Sequence, residues 1–183
     1  MMAIGIVSLL AVILFLVYAT YAKQEGAEGM DVNKPGGAAT YTCLGNVNNP
    51  GNLISVDSVH WQGETTQPGQ KFESFETLRF GVRAWYINLF GKMKKGVITN
   101  TTQMIDVLTP AGKENPEPAR NNYKASVAKA KSWLELGKAV FDFEACPSWV
   151  SADSQTKLSA LQGGFSDAVR YSYNGSTPQY FIS

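Results

Sequence analysis

The fold is decided by residues 77–96, TLRFGVRAWYINLFGKMKKG. Leu78, Val82, Trp85, Tyr86, Leu89, Phe90 and Met93 recur every three or four positions, which gathers them on one face of an α-helix. Thr77 stands where an N-cap belongs, because its hydroxyl can accept from a first-turn N–H that has no helical partner, and Gly96 stands where a helix stops. A stripe this rich in aromatics needs apolar partners, so residues 77–96 are expected to be the core helix of a small domain. Working outward, residues 101–108 carry Met104, Ile105 and Leu108 on one side and stop before Pro110. Pro116 and Pro118 precede a long helix expected over residues 119–136, with Tyr123, Val127, Ala130 and Leu134 inward and Gly137 as terminator. Farther on, Ser151 is expected to cap a helix ending at Gly163-Gly164, residues 165–173 to add a turn or two, and the Tyr- and Ser-rich end to dock as a tail. Upstream, Pro50-Gly51 and Gln67-Pro68-Gly69 mark turns, and residues 54–59 alternate like a strand, so loops with a minor hairpin are expected over residues 40–75. The expected fold class is mainly α, with one globular domain over residues 38–183.

Ahead of that domain, residues 3–22 read AIGIVSLLAVILFLVYATYA without a charge. About 20 such residues span a bilayer core as a helix. Ser8 and Thr20 can return their hydroxyls to their own helix, and Tyr18 and Tyr21 suit the headgroup layer. Residues 1–22 are therefore read as a transmembrane anchor; the competing reading is a cleaved secretory signal, against which stand the uncharged Met1-Met2 and the length of the apolar run. Residues 23–37, KQEGAEGMDVNKPGG, lack apolar periodicity and form a flexible tether. A single-pass protein of a lipid membrane follows, in a host cell or a virion, with its orientation left open because Lys23 and Lys34 are interleaved with Glu25, Glu28 and Asp31.

Composition narrows the chemistry. Sixteen Lys and Arg against 15 Asp and Glu leave a net charge of +1, with no basic block to neutralise a row of phosphates, so nucleic acid is not an expected partner. One histidine, His60, and two distant cysteines, Cys43 and Cys146, give no metal-ligand spacing and no nucleophile–base pair. Gly36-Gly37 and Gly163-Gly164 lack the spacing and lysine of a phosphate loop. No cofactor and no metal is expected. The two cysteines are open to two readings, a staple or two buried thiols.

Residues 48–127 hold an ordered series: NNPGNL, WQG, FESFETLRFGVRA, a helix, GVITNTTQMIDVLTPAGKEN, then Tyr123 to Val127. The series resembles a family of phage and prophage proteins whose domain reads NNPGN(I/L), WxG, FxxF, G(I/V)RA, TI followed by Pro and then EN, and YxxxV. Such proteins are virion structural proteins or lysozyme-like peptidoglycan hydrolases, and the likeness covers about half of the chain. It implies a lysozyme-like domain, α+β in that family's manner, acting on peptidoglycan glycan strands as the phage gets into or out of the cell, with capsid proteins as further partners. The NNPGN to FxxF portion is also similar to the substrate side of lysozyme-like glucosaminidases, in which a catalytic Glu precedes the Asn-rich turn. Here that place reads GGAATYTCLGNV and contains no acid.

A glycosidase needs a carboxylic acid to protonate the glycosidic oxygen. Glu64 is the first candidate, because it follows Trp61-Gln62-Gly63 and an aromatic wall can raise a carboxyl pKa. Asp57 is the second carboxylate, ahead of Glu73, Glu76 and Glu114, each of which also reads as ordinary surface charge. Asn49, Asn52 and Trp61 are the glycan-binding candidates, the amides for N-acetyl groups and the indole for a sugar face, although Asn beside Pro-Gly is first a turn former. Trp85, at helical spacing, is read as core. Three functions compete: a membrane-anchored, virion-associated peptidoglycan glycosidase or lytic transglycosylase, a non-catalytic virion membrane protein linking membrane and capsid, and a bacterial envelope binding module encoded in a prophage.

Overall fold

A computed structural model describes residues 47–112 and 115–181. Six helices occur among the described residues: α1 Leu78–Lys94, α2 Thr101–Leu108, α3 Glu117–Val127, α4 Trp133–Glu144, α5 Pro147–Ser151 and α6 Ser154–Tyr173. The mainly α class is borne out, and α1 is the core helix. The Thr77 side chain accepts from the Phe80 N–H, Lys92 and Lys94 occupy the last turn, where cations suit the helix dipole, and Val82, Trp85, Tyr86, Leu89 and Phe90 are buried. α6 packs along α1. Gly163-Gly164 does not end a helix as expected; α6 runs straight through it. A Cβ on Gly164 would lie 2.6 Å from Val82 Cγ1 and 2.7 Å from the Arg79 carbonyl oxygen. The glycine is there so that the two backbones can touch, and that contact offsets its cost of about 1 kcal/mol in a helix interior.

The helix expected over residues 119–136 is instead two helices. α3 stops at Val127, and α4 begins after Ser132, whose Oγ accepts from the Glu135 N–H at 3.2 Å. Glu135 Oε2 in turn accepts from the Lys131 N–H at 2.8 Å, so Ser132 and Glu135 work as a capping box shifted by one residue. Gly137 is not a terminator. It lies inside α4, where a Cβ would be 2.2 Å from the Tyr86 hydroxyl, and that hydroxyl donates to the Trp133 carbonyl at 2.5 Å. Ser151 closes α5, with its Oγ donating to the Pro147 carbonyl, and Asp153 takes the N-cap of α6.

Residues 47–77 pair only through two isolated antiparallel bridges, Ile54 with Phe72 and Glu64 with Phe75. Ile54, Val56 and Val59 are exposed, so their alternation does not mark a buried strand face. What orders this segment is its fit to α1. Asn48 and Asn52 hold left-handed backbone at φ 54°, which asparagine tolerates better than other side-chain-bearing residues. A Cβ on Gly81 would meet the Asn48 carbonyl oxygen at 1.9 Å, and one on Gly51 the Trp85 ring at 2.1 Å. The NNPGN turn therefore lies flat on the GVRA turn of α1. At the other end the docked tail is borne out: Trp133 Nε1 donates to the Pro178 carbonyl at 2.8 Å, and the Tyr180 and Phe181 rings meet Trp133 edge-on. Cys146 is buried and disulfide-bonded. No helix among the described residues is long and apolar enough to cross a membrane. The anchor, the tether, Cys43 and Glu114 lie outside the described residues.

Candidate active site

Where the NNPGN turn rests on α1, a cleft of about 430 Å³ opens. Asn52 and Leu53 of the turn form one side with Trp61 and Phe72, Val107 to Pro110 at the end of α2 form the other, and Trp85 and Asn88 of α1 lie between them. The α2 side is fixed by Arg120 of α3. Its buried guanidinium pairs with Asp106 and Glu117 and donates through Nε to the Thr109 carbonyl at 2.9 Å, and Lys124 joins Asp106 at 2.7 Å. Lys124 and Arg120 hold the Asp106 carboxyl below its usual range.

Glu144, the last residue of α4, also lines this cleft. It accepts side-chain hydrogen bonds from Tyr123 and Asn52, yet burial outweighs them and pushes its carboxyl up to about 7. Its place at a helix C-terminus, where the dipole opposes an anion, acts in the same direction. Tyr123 stacks on Phe143 with centroids 4.0 Å apart, and burial together with the neighbouring Glu144 raises its hydroxyl pKa. The next residue, Ala145, has φ 50°, an unusual conformation for a side-chain-bearing residue and a local strain of about 1 kcal/mol or more. A half-cystine, Cys146, follows directly.

The residues singled out from sequence fall into two groups. Asn52 and Trp61 line the cleft, Asn52 touching Glu144. Asn49 does not reach it: fully buried, its amide bonds the Leu53 and Glu73 carbonyls and the Leu53 N–H, closing the turn. Glu64 Oε2 accepts from the Trp61 N–H at 2.8 Å, so its carboxylate ties the WQG turn and is not among the cleft residues. Asp57 is exposed and is likewise not among them. Glu73 is buried at the cleft wall, its Oε2 accepting from Thr66 Oγ1 at 2.6 Å. Trp85 is core, as read from its spacing, with its ring reaching the cleft floor.

Sequence reading missed Glu144 and Asn88. The signal for Glu144 was an acid in FDFEACP, closing an amphipathic helix between phenylalanine and a buried cysteine. The motif positions also acquire reasons. Gly63 of WQG holds φ 70° under the Phe80 ring, Phe72 and Phe75 are buried, and Tyr123 carries the hydroxyl that meets Glu144. Neither a protein-family model nor a curated protein matches the chain.

Proposed function

We propose that this chain is a membrane-anchored, virion-associated protein whose lysozyme-like domain cleaves peptidoglycan glycan strands as a phage gets into or out of its host. The observation that carries the reading is the Glu144 carboxyl, held near neutrality in a cleft beside Asn52, Asn88 and Trp61. A carboxyl that stays protonated close to pH 7 is what a general acid requires. The ordered NNPGN, WQG and FxxF elements, each of which contributes residues to this cleft, support the lysozyme-like assignment.

Two carboxyls line the cleft among the described residues: Glu73, bonded by Thr66, and Glu144, bonded by Tyr123 and Asn52, and the raised pKa belongs to Glu144. The chemistry that fits is one in which the substrate supplies the second group. Glu144 gives its proton to the glycosidic oxygen as the C1–O4 bond breaks. The 6-hydroxyl of the same sugar closes on C1, and its proton returns to the Glu144 carboxylate. Asn52 and Asn88 present amides to N-acetyl groups, and Trp61 offers an indole face to a sugar ring.

The test is loss of turbidity of purified peptidoglycan with the full chain in a non-ionic detergent. Clearing is expected for the parent and for Glu64→Gln, and none for Glu144→Gln. No clearing by the parent across pH 5 to 8 would sink the enzymatic reading. The second reading, a structural protein joining virion membrane and capsid, is favoured by one observation: Glu144 already has Tyr123 and Asn52 as partners, which a buried structural network also provides. Co-purification with virions together with inert Glu144 would select it.

A further inference from the structure

Away from the cleft, α1 and α6 form the walls of a second groove, of about 630 Å³, where Arg79 and Arg83 of α1 face Asp167, Arg170 and Tyr171 of α6. The groove collects three guanidiniums and one carboxylate, a local charge of +2, against +1 for the entire chain. The carboxylate is already used: Asp167 takes Arg79 in a two-pronged pair at 2.8 and 3.0 Å. Arg79 is further held by its fit over Gly163, where a Cβ would come within 3.0 Å of its Nε. Arg83 and Arg170 have no carboxylate within 4 Å among the described residues. Both nevertheless lie close enough to Asp167 to lower its pKa, after the larger effect of Arg79. The Arg83 guanidinium sits 5.2 Å from the centre of the Tyr171 ring, and that ring is 67% exposed. The helix end beside the groove has no acidic residue in its first turn.

Two planar cations on different helices, neither neutralised, converge on one concavity beside an exposed aromatic. A single carboxylate ligand would satisfy one fork; a tetrahedral phosphate has enough acceptor oxygens for both. We propose that the groove between α1 and α6 is a binding site for a phosphate group, gripped by Arg83 and Arg170 with the Arg79–Asp167 pair as its rigid back wall. This site is independent of the glycan-cleft reading. A phosphate can reach it from a soluble phosphodiester or from a lipid headgroup.

Both sources are tested on the full chain in maltoside detergent at constant ionic strength, following the arginine Nε–H and Tyr171 signals by NMR. The probes are inorganic phosphate, glycerol 3-phosphate and dihexanoylphosphatidylglycerol. Saturable shifts confined to the groove are expected, with the dissociation constant raised at least tenfold in the Arg83→Gln/Arg170→Gln double variant. Tighter binding of glycerol 3-phosphate identifies a soluble source, and tighter binding of the short-chain lipid a headgroup. Shifts that do not saturate with any probe, or that persist unchanged in the double variant, overturn the site. Arg83→Lys/Arg170→Lys keeps the charge, so weakened binding in that folded variant separates fork recognition from simple attraction.

Discussion

Glu144 carries opposite consequences for stability and for chemistry. Its folded pKa of about 7 lies above the ordinary 4.5, so between those values the folded state binds more proton than the unfolded one. Stability from this group is therefore fully present below about pH 4.5 and is lost as pH rises through 7, by an amount on the order of 1 to 3 kcal/mol. Glu144→Gln removes the titration while retaining a group that can accept from Tyr123 and Asn52. The variant is expected to match the parent in denaturant midpoint at pH 4.5 and to exceed it at pH 8; equal midpoints at both pH values would mean the carboxyl titrates normally. In the parent, clearing of peptidoglycan should decline above pH 7 as the acid loses its proton, an effect read from initial rates between pH 5 and 9. The neighbouring Ala145 stores strain at φ 50°. Ala145→Gly relieves it and is expected to raise stability by about 0.5 to 1 kcal/mol, measured at pH 5, where Glu144 is mostly protonated in the folded protein.

At the scale of elements, glycine marks the places where helices approach one another. Gly164→Ala drives a methyl toward Val82 Cγ1 and the Arg79 carbonyl, and neither buried side chain nor helix backbone yields cheaply. A loss of about 1 to 3 kcal/mol is expected in urea unfolding, against a gain of about 0.5 to 1 kcal/mol if the position were merely a weak point in an isolated helix. This ambiguity explains what could be read from the chain and what could not. α1 and α2 were legible because cap, stripe and stop all agree within one segment. The boundary between α3 and α4, and the course of α6, were not. Gly137 and Gly163-Gly164 have the local character of terminators, and only the Tyr86 hydroxyl and the Val82 side chain, arriving from a distant helix, give them another purpose. Ser132 and Glu135 do carry a local signal, a capping box, but the apolar positions Ala130 and Leu134 continue the helical period across it and hide the break.

At the scale of the molecule, the candidate cleft is assembled from Asn52, Trp61, Asn88, Tyr123 and Glu144, residues that no single short motif brings together. Asn52 and Trp61 were legible because turn chemistry and an aromatic set beside a turn are local properties. Glu144 was not, because it stands outside the ordered series of residues 48–127 that contains Glu64 and Asp57, and only the fold returns it to the Asn-rich turn from the C-terminal side. The helix that carries it, α4, is held at both ends. Cys146, in a disulfide, follows Glu144. At the start of the helix the tail covers Trp133, through the Pro178 carbonyl, the Tyr180 and Phe181 rings, and a bond from the Tyr180 hydroxyl to the Ala130 carbonyl at 3.0 Å. Ending the chain after Thr177 removes all four contacts while leaving every cleft residue in place. The expected cost is about 2 to 4 kcal/mol in denaturant unfolding, from exposed aromatic surface and two hydrogen bonds. Tyr180→Phe, which deletes one of those bonds, should cost about 0.5 to 1.5 kcal/mol. If the tail clamps α4, the shortened chain also loses Glu144's elevated pKa, so the pH dependence of its stability flattens. A shortened chain that is weaker by the expected amount yet keeps the full slope between pH 4.5 and 7 would show that the disulfide end alone positions the acid.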